Sequence, residues 1–166
     1  MLAEQWGLPR FRRSGNALVT EGAVGGERFA LLKPQTYMNL SGDAVAPLLA
    51  SPEFDPTRDL LVLVDDIALP LDTFRLRAQG TPGGHNGLES VEAALGSTEY
   101  ARLRIGVGPV PEDEEDQAEF VTSNFEPEEL MTLADLLPDL VDAVECWLTE
   151  GIKAAMNRFN RRGTQE

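Results

Sequence analysis

The sequence contains one cysteine and one histidine among its 166 residues. A single thiol, Cys146, excludes a disulfide framework and a CxxC metal motif. One histidine and one cysteine are also too few for the common zinc sites. Cys146 lies in a helical pattern, which predicts a small buried apolar residue. These absences leave no signature of a metal site and fit a reducing cytoplasm.

Long apolar runs and familiar hydrolase motifs are missing as well. No stretch approaches the roughly 20 apolar residues that a membrane-spanning helix requires. The N-terminal "MLAEQWGLPRFRR" lacks the apolar core of a signal peptide. Neither GxSxG nor GxxxxGK[ST] occurs, so a nucleophile-elbow serine hydrolase and a P-loop enzyme are both disfavoured. We therefore expect a cytoplasmic protein without a membrane partner.

Positive charge is scarce, because 14 basic residues face 28 acidic ones and the net charge is −14. This balance argues mildly against a polyanionic partner, since phosphate binding depends on lysine and arginine. Much of the acid lies in "PEDEEDQAE", which predicts a solvated loop at residues 111–119. The arginines nevertheless occur in small groups: Arg10, Arg12, Arg13; Arg75, Arg77; Arg102, Arg104; and Arg158, Arg161, Arg162. A locally basic groove on an acidic protein therefore stays open.

The apolar patterns predict strands that alternate with helices. Alternation on both sides of Gly25-Gly26 predicts a hairpin, and "DLLVLVDDIAL" predicts a strand buried on both faces. "DTFRLRAQG" predicts a strand with one basic face, and "NGLESVEAALG" predicts a helix that stops at Gly96. Residues 126–160 predict helix in two pieces, in which Pro138 either kinks the helix or opens the second piece, and the pattern continues through Gly151. We expect a single α/β domain over residues 1–166, with a twisted mixed β-sheet flanked by helices.

Three segments carry side chains suited to chemistry. In α/β sheets ligands gather beyond the carboxyl ends of strands, where Asp65 and Asp66 follow the most apolar run. The only histidine, His85, lies with Asn86 in "GTPGGHNGLES", where glycines allow close backbone approach and a helix start offers N–H groups. The third segment is "KPQTYMNLSG", residues 33–42. Taken singly, each of these residues is better explained as a turn residue, a helix cap or an ordinary loop side chain.

Five ordered motifs together resemble the bacterial peptidyl-tRNA hydrolase family, the metal-independent type. They are "KPQTYMNLSG", "LVLVDDIALP", "GTPGGHNGLES", "ARLRIGVGP" and "AAMNRFN". The resemblance extends from about the first residue to Asn160 and so covers nearly the whole chain. It implies hydrolysis of the ester that joins a peptide to the 3′ ribose of tRNA, which recycles tRNA from stalled translation. It also implies a monomer that needs no metal and no cofactor and takes peptidyl-tRNA as its partner.

The resemblance assigns roles to particular residues. Asp65 matches the aspartate that orients and stabilises the family's base histidine. Asn39 and Asn86 match the asparagines that bind the substrate's end and help to place the water. His85 matches a second site histidine, which is not the base. The tRNA-binding set is matched by Tyr37 with its neighbour Met38, and by Arg77 and Arg104, which match positions that contact phosphate.

One departure concerns the base itself. The family's opening strand, its "G-L-G-N-P-G" turn and its "T-x-H-N" motif should precede "LAEQWGL", and this sequence has no counterpart for them. A late-called start, a fragment and a loss of catalysis are the three explanations, and the first is favoured because the other site residues are retained. We expect impaired hydrolysis by the chain as given. The alternative function is a non-catalytic RNA-binding relative of the same fold, and in-frame sequence upstream of Met1 would discriminate the two.

Overall fold

The computed structural model describes residues 2–111 and 117–160. The elements in chain order are α1 (Leu2–Gln5), β1 (Arg12–Ser14), β2 (Ala17–Val24), β3 (Glu27–Pro34), α2 (Gly42–Val45), α3 (Pro56–Asp59), β4 (Leu61–Pro70), β5 (Phe74–Arg77), α4 (Asn86–Leu95), β6 (Ala101–Gly108), α5 (Gln117–Thr122), α6 (Pro127–Glu150) and α7 (Ile152–Phe159). Two 3₁₀ turns, Met38–Leu40 and Ala46–Ala50, flank α2. The predicted α/β class is confirmed.

Part of the predicted acidic loop, residues 112–116, lies outside the described residues, as do Arg161 and Arg162. The last three residues of that acidic segment, 117–119, belong to helix α5. Within the described ranges no helix is both long enough and apolar enough to cross a membrane.

The chain divides into two compact units. The first unit comprises Met1–Leu60 with Gln79–Tyr100, and the second comprises Leu61–Ala78 with Ala101–Glu166. The strands accordingly form two three-stranded sheets, in the orders β1-β2-β3 and β4-β6-β5.

The first unit contains the predicted hairpin, which is confirmed. Strands β2 and β3 pair antiparallel from Ala17 opposite Pro34 to Val24 opposite Glu27, and β1 adds an antiparallel edge strand. The connecting Gly25 and Gly26 have φ values of 58° and 88°, a conformation that side-chain-bearing residues rarely adopt. Helix α2 packs against α4 in the same unit.

The second unit contains a mixed sheet, because β4 pairs parallel and β5 pairs antiparallel with β6. Successive residues of a strand point to opposite faces, so alternate rows of the sheet differ in chemistry. One row aligns Leu63, Leu103 and Leu76, and Leu103 and Leu76 are fully buried. The next row aligns Val64, Arg104 and Arg75. The predicted basic face of β5 is therefore confirmed.

Strand β4 differs from its prediction as a strand buried on both faces. It lies at an edge of its sheet, and Leu63 is 45% exposed, while Val64 and Asp66 are buried. The continuous apolar run correctly indicated a strand. It did not reveal that the strand has a neighbour on only one side among the described residues.

The C-terminal segment forms two helices, as predicted, but the division lies at Gly151 and not at Pro138. Helix α6 runs through Pro138 and ends at Glu150, and Gly151, with φ 84° and ψ 171°, separates it from α7. Burial of Leu140, Ala143 and Val144 beyond the proline stabilises the continuing helix by tertiary packing, which outweighs the lost backbone hydrogen bond. Gly151 leaves the helical region at little cost because it has no Cβ. Cys146, on α6, is buried as predicted.

Candidate nucleic-acid and ester-binding site

The only histidine of the chain caps the N-terminus of helix α4. His85 is the N-cap residue, and its Nδ1 accepts hydrogen bonds from the backbone N–H groups of Gly87 (3.1 Å) and Leu88 (3.3 Å). A ring nitrogen that accepts carries no proton, so in the neutral imidazole the proton resides on Nε2. The lone pair of Nδ1 is therefore committed to the helix, and two of the N–H groups expected to face a ligand are already satisfied.

The turn before His85 depends on glycine. Gly83 and Gly84 have φ values of 61° and 82°, and an added Cβ at either position would meet no atom within 4 Å. Glycine is therefore favoured at these two positions by the backbone conformation and not by a lack of space. The turn delivers the chain to the helix start with Asn86 exposed as the first helical residue.

Met38 packs against the start of α4. A Cβ added at Gly87 would lie 2.6 Å from Met38 Sδ and 2.9 Å from His85 Cε1, so only glycine leaves room for both side chains. A second tie joins the same segments, since the backbone N–H of Gly42 donates to Ser90 Oγ at 2.9 Å. The 3₁₀ turn of Met38–Leu40 is thereby fixed against the helix start.

Two further predicted residues accompany Met38 on this turn. Tyr37 is 83% exposed, and Asn39 is exposed beside it. Tyr37 also borders a surface hollow lined by Asn16, Gln35, Thr36, Tyr37, Leu40 and Asp43. The first unit therefore brings together five of the predicted residues, Tyr37, Met38, Asn39, His85 and Asn86, on two packed segments. An exposed aromatic ring and two exposed amides there are suited to a nucleotide base and a carbonyl group.

The second unit contains an ion pair between a buried aspartate and a partly exposed arginine, which was not predicted from the sequence. Asp66 is 7% exposed, and its Oδ1 accepts from the backbone N–H of Ala68 at 3.0 Å. Its Oδ2 lies 2.8 Å from Arg104 Nε, as an ion pair without the alignment of a hydrogen bond. Arg104 remains 38% exposed beyond this contact. The position of Asp66 two residues after the apolar Val64, on the same face of the strand, is the sequence signal that could have indicated this carboxylate.

Asp65 and Arg77 lie on opposite faces of the same sheet. Asp65 aligns with Ile105 and Phe74, whereas Arg77 aligns with the fully buried Arg102. Asp65 is only half-buried, so the two neighbouring acids have different environments. Arg104, Arg77 and Asp66 lie on one face of the sheet, opposite to the face that carries Asp65. Among the residues described, no group of three or more histidine, cysteine, aspartate or glutamate side chains could hold a metal ion.

Comparison with known proteins identifies the family. The family model for peptidyl-tRNA hydrolase matches residues 1–166. The chain is 48% identical over 159 residues to peptidyl-tRNA hydrolase from Chloroflexus aggregans, which covers 96% of this chain and 84% of the relative. It is 44% identical over 162 residues to the protein of that name from Gemmatimonas aurantiaca, covering 96% and 85%. The chain belongs to the peptidyl-tRNA hydrolase family.

A solved structure supports the same family assignment. The crystal structure of peptidyl-tRNA hydrolase from Acinetobacter baumannii matches with a TM-score of 0.83 and 27% identity, covering 94% of this chain and 79% of that chain. In this member of the peptidyl-tRNA hydrolase family, the predicted amides and the predicted aromatic ring lie at the start of α4 and at the 3₁₀ turn packed against it. The predicted arginines lie on a strand face of the second unit.

Proposed function

We propose that this chain binds peptidyl-tRNA and acts on the ester that joins the peptide to the 3′ ribose. The observation that carries the proposal is the packing of the Tyr37–Asn39 turn against the helix start at His85 and Asn86. We propose that the chain functions as one monomeric, cytoplasmic hydrolase-like domain over residues 1–166, without metal or cofactor. The family match over the same residues supports this extent.

Binding is divided between groups of different chemistry. The amides of Asn39 and Asn86 orient the substrate carbonyl and a water molecule without adding charge. Tyr37, which is 83% exposed, stacks on a base of the single-stranded 3′ end. Arg77 and Arg104 contact phosphates, which positions the RNA without reading its sequence.

Catalysis at neutral pH requires a base whose pKa lies near the working pH, and histidine meets that requirement best. His85 is the only imidazole of the chain, and its Nδ1 accepts two backbone hydrogen bonds. We propose that His85 positions the substrate side of the site and is not the base. Asp65 has the role of orienting a base imidazole and stabilising its charged form. Hydrolysis by this chain, whose only imidazole is His85, is then weak.

The test is cleavage of N-acetyl-aminoacyl-tRNA by this chain beside the relative from Chloroflexus aggregans. We expect a rate lower by roughly 10²-fold or more, which is the range that general-base catalysis supplies. Binding of the uncleaved substrate, measured in parallel, should persist. Near-normal turnover that His85→Asn abolishes would identify His85 as the base and contradict the proposed roles.

The alternative, a non-catalytic RNA-binding relative, is distinguished by what the site prefers. A hydrolase-type site should bind N-acetyl-aminoacyl-tRNA more tightly than deacylated tRNA, because the amides contact the acylated end. Equal affinity for the two RNAs, together with no cleavage, would favour the alternative.

A further inference from the structure

The first hairpin concentrates positive charge in an acidic protein. Residues 10–33 contain five of the 14 basic residues but only two acids, Glu21 and Glu27, while the whole chain has a net charge of −14. None of these five cations belongs to the candidate site. A local excess of this kind attracts a polyanion despite the overall charge.

The strand register sorts these cations onto two faces. Arg13 aligns with Leu18, which aligns with Lys33, so both cations share one face of the sheet. Lys33 Nζ lies 4.2 Å from the centre of the Phe11 ring, a cation–π contact that holds the ammonium group in place. Arg13 is exposed and has no carboxylate within ion-pair distance among the residues that the structure describes. Arg13 and Lys33 are here called the β1 basic face.

The opposite face offers a built-in contrast. Arg12 aligns with Val19, and Arg28 aligns with Ala23. Val19 and Ala23 point to the face of β2 opposite to that of Leu18, so Arg12 and Arg28 lie on the face opposite to Arg13 and Lys33. Arg12 is bound to Glu21 at 3.2 Å, with both side chains exposed. The same sheet therefore carries two cations on each face, in one row across the strands on the first face and in rows four residues apart along β2 on the opposite face.

The β1 basic face is continuous with the candidate site. The backbone N–H of Gln35 donates to the carbonyl oxygen of Asn16 at 2.8 Å, which ties the β1–β2 turn to the segment between Lys33 and Tyr37. Asn16, Gln35 and Tyr37 then line one hollow. The hollow beside Tyr37 is thus lined in part by residues that closely follow Arg13 and Lys33 along the chain, so an RNA whose 3′ end reaches Tyr37 has both cations within reach of its backbone.

We propose that the β1 basic face is a second RNA-binding surface, which contacts backbone phosphates of the RNA body while the 3′ end occupies the candidate site. The inference rests on the proposed function. RNA fits better than an anionic membrane or an acidic protein, because the cations adjoin an exposed aromatic ring and amides suited to nucleotides. Each cation that neutralises a phosphate adds about one unit to the salt dependence of binding.

The experiment measures binding of deacylated tRNA from about 50 to 200 mM salt. The test variant is Arg13→Gln/Lys33→Gln, and the control variant is Arg12→Gln/Arg28→Gln, which removes the same charge from the opposite face. We expect the test variant to weaken binding and to lower the salt slope by about two units. The control should retain nearly the wild-type slope. Arg77→Gln, which reports on the proposed site itself, should lower the slope by about one unit.

The outcomes separate the two proposals. Equal slopes for the test and control variants, with tRNA binding intact, would overturn the β1 basic face and leave the proposed function standing. A salt slope that falls only in Arg77→Gln would likewise overturn the β1 basic face and leave the proposed function standing. Absence of tRNA binding by the wild type would overturn both. Loss of binding to phosphatidylserine vesicles in the test variant, with tRNA binding unchanged, would reassign the surface to a membrane.

Discussion

The two units hold their candidate residues by different means. In the first unit, side chains at turns and a helix start bond to backbone groups, as His85 does with Gly87 and Leu88. In the second unit, charged side chains stand on strands, where Asp66 is buried against Arg104. A cap can be replaced by another small polar residue, whereas a buried carboxylate has few substitutes. Substitutions of site residues in the first unit should therefore change binding and stability independently. Substitutions in the second unit should change both together.

The sharpest way to break this comparison is Asp66→Ala. The substitution removes the acceptor for the Ala68 N–H and the charge partner of Arg104. We expect a loss of about 2 kcal/mol in the free energy of unfolding, less than for a fully buried pair because Arg104 is partly exposed. The exposed Asp72→Ala should stay within about 0.5 kcal/mol. Urea unfolding measures the loss in the free energy of unfolding for both variants. Similar losses would show that burial of Asp66 does not add to its contribution to stability.

A smaller effect is expected at His85. His85→Ala removes the N-cap acceptor of α4 and should cost about 1 kcal/mol in the free energy of unfolding. His85→Asn should recover most of that loss, because an asparagine side chain also caps a helix. Thermal or urea unfolding of the three proteins checks the order. If asparagine is as destabilising as alanine, the imidazole is held by more than capping and the distinction between the units fails.

The smallest effect concerns Cys146 in the second unit. Burial raises the pKa of the Cys146 thiol; Arg158 lowers it and Glu150 raises it by smaller amounts. The folded state favours the neutral thiol, so its contribution is present below the unfolded pKa of about 8.5 and is lost as pH rises through the raised folded value. The difference in unfolding free energy between wild type and Cys146→Ala should therefore shrink, by less than about 1 kcal/mol, between about pH 7 and pH 10. A constant difference would mean that the thiol is accessible to water.

The sequence predicted those features that depend on local patterns. Alternation and turn glycines located the β2–β3 hairpin, and Gly96 correctly marked the end of α4. The division between the two C-terminal helices was expected at Pro138 and lies at Gly151, because burial on the inner side of α6 decides whether a proline is tolerated. Such burial depends on residues distant in sequence and has no local signature.

The candidate site shows the same division. The motifs indicated which segments carry Tyr37, Asn39, His85 and Asn86, and the structure packs those segments together. The direction of the His85 ring, which decides whether Nδ1 is available, depends on a side-chain rotamer that sequence spacing does not specify. The pairing of Arg104 with Asp66 depends on the register between two strands. The relation of Asp65 to a base histidine stays a prediction.

Asn160 closes the edge of the second sheet with a side chain. Its Oδ1 accepts from Leu76 N–H and its Nδ2 donates to the Leu76 carbonyl oxygen, both at 2.9 Å, so one amide occupies the backbone groups that a further strand would use. These partners are 84 residues apart in sequence. During synthesis, strand β5 therefore emerges long before its edge is covered, and an open strand edge is a template for pairing with other chains. In the interval between translation of Leu76 and Asn160, this strand edge is open to pairing with other chains.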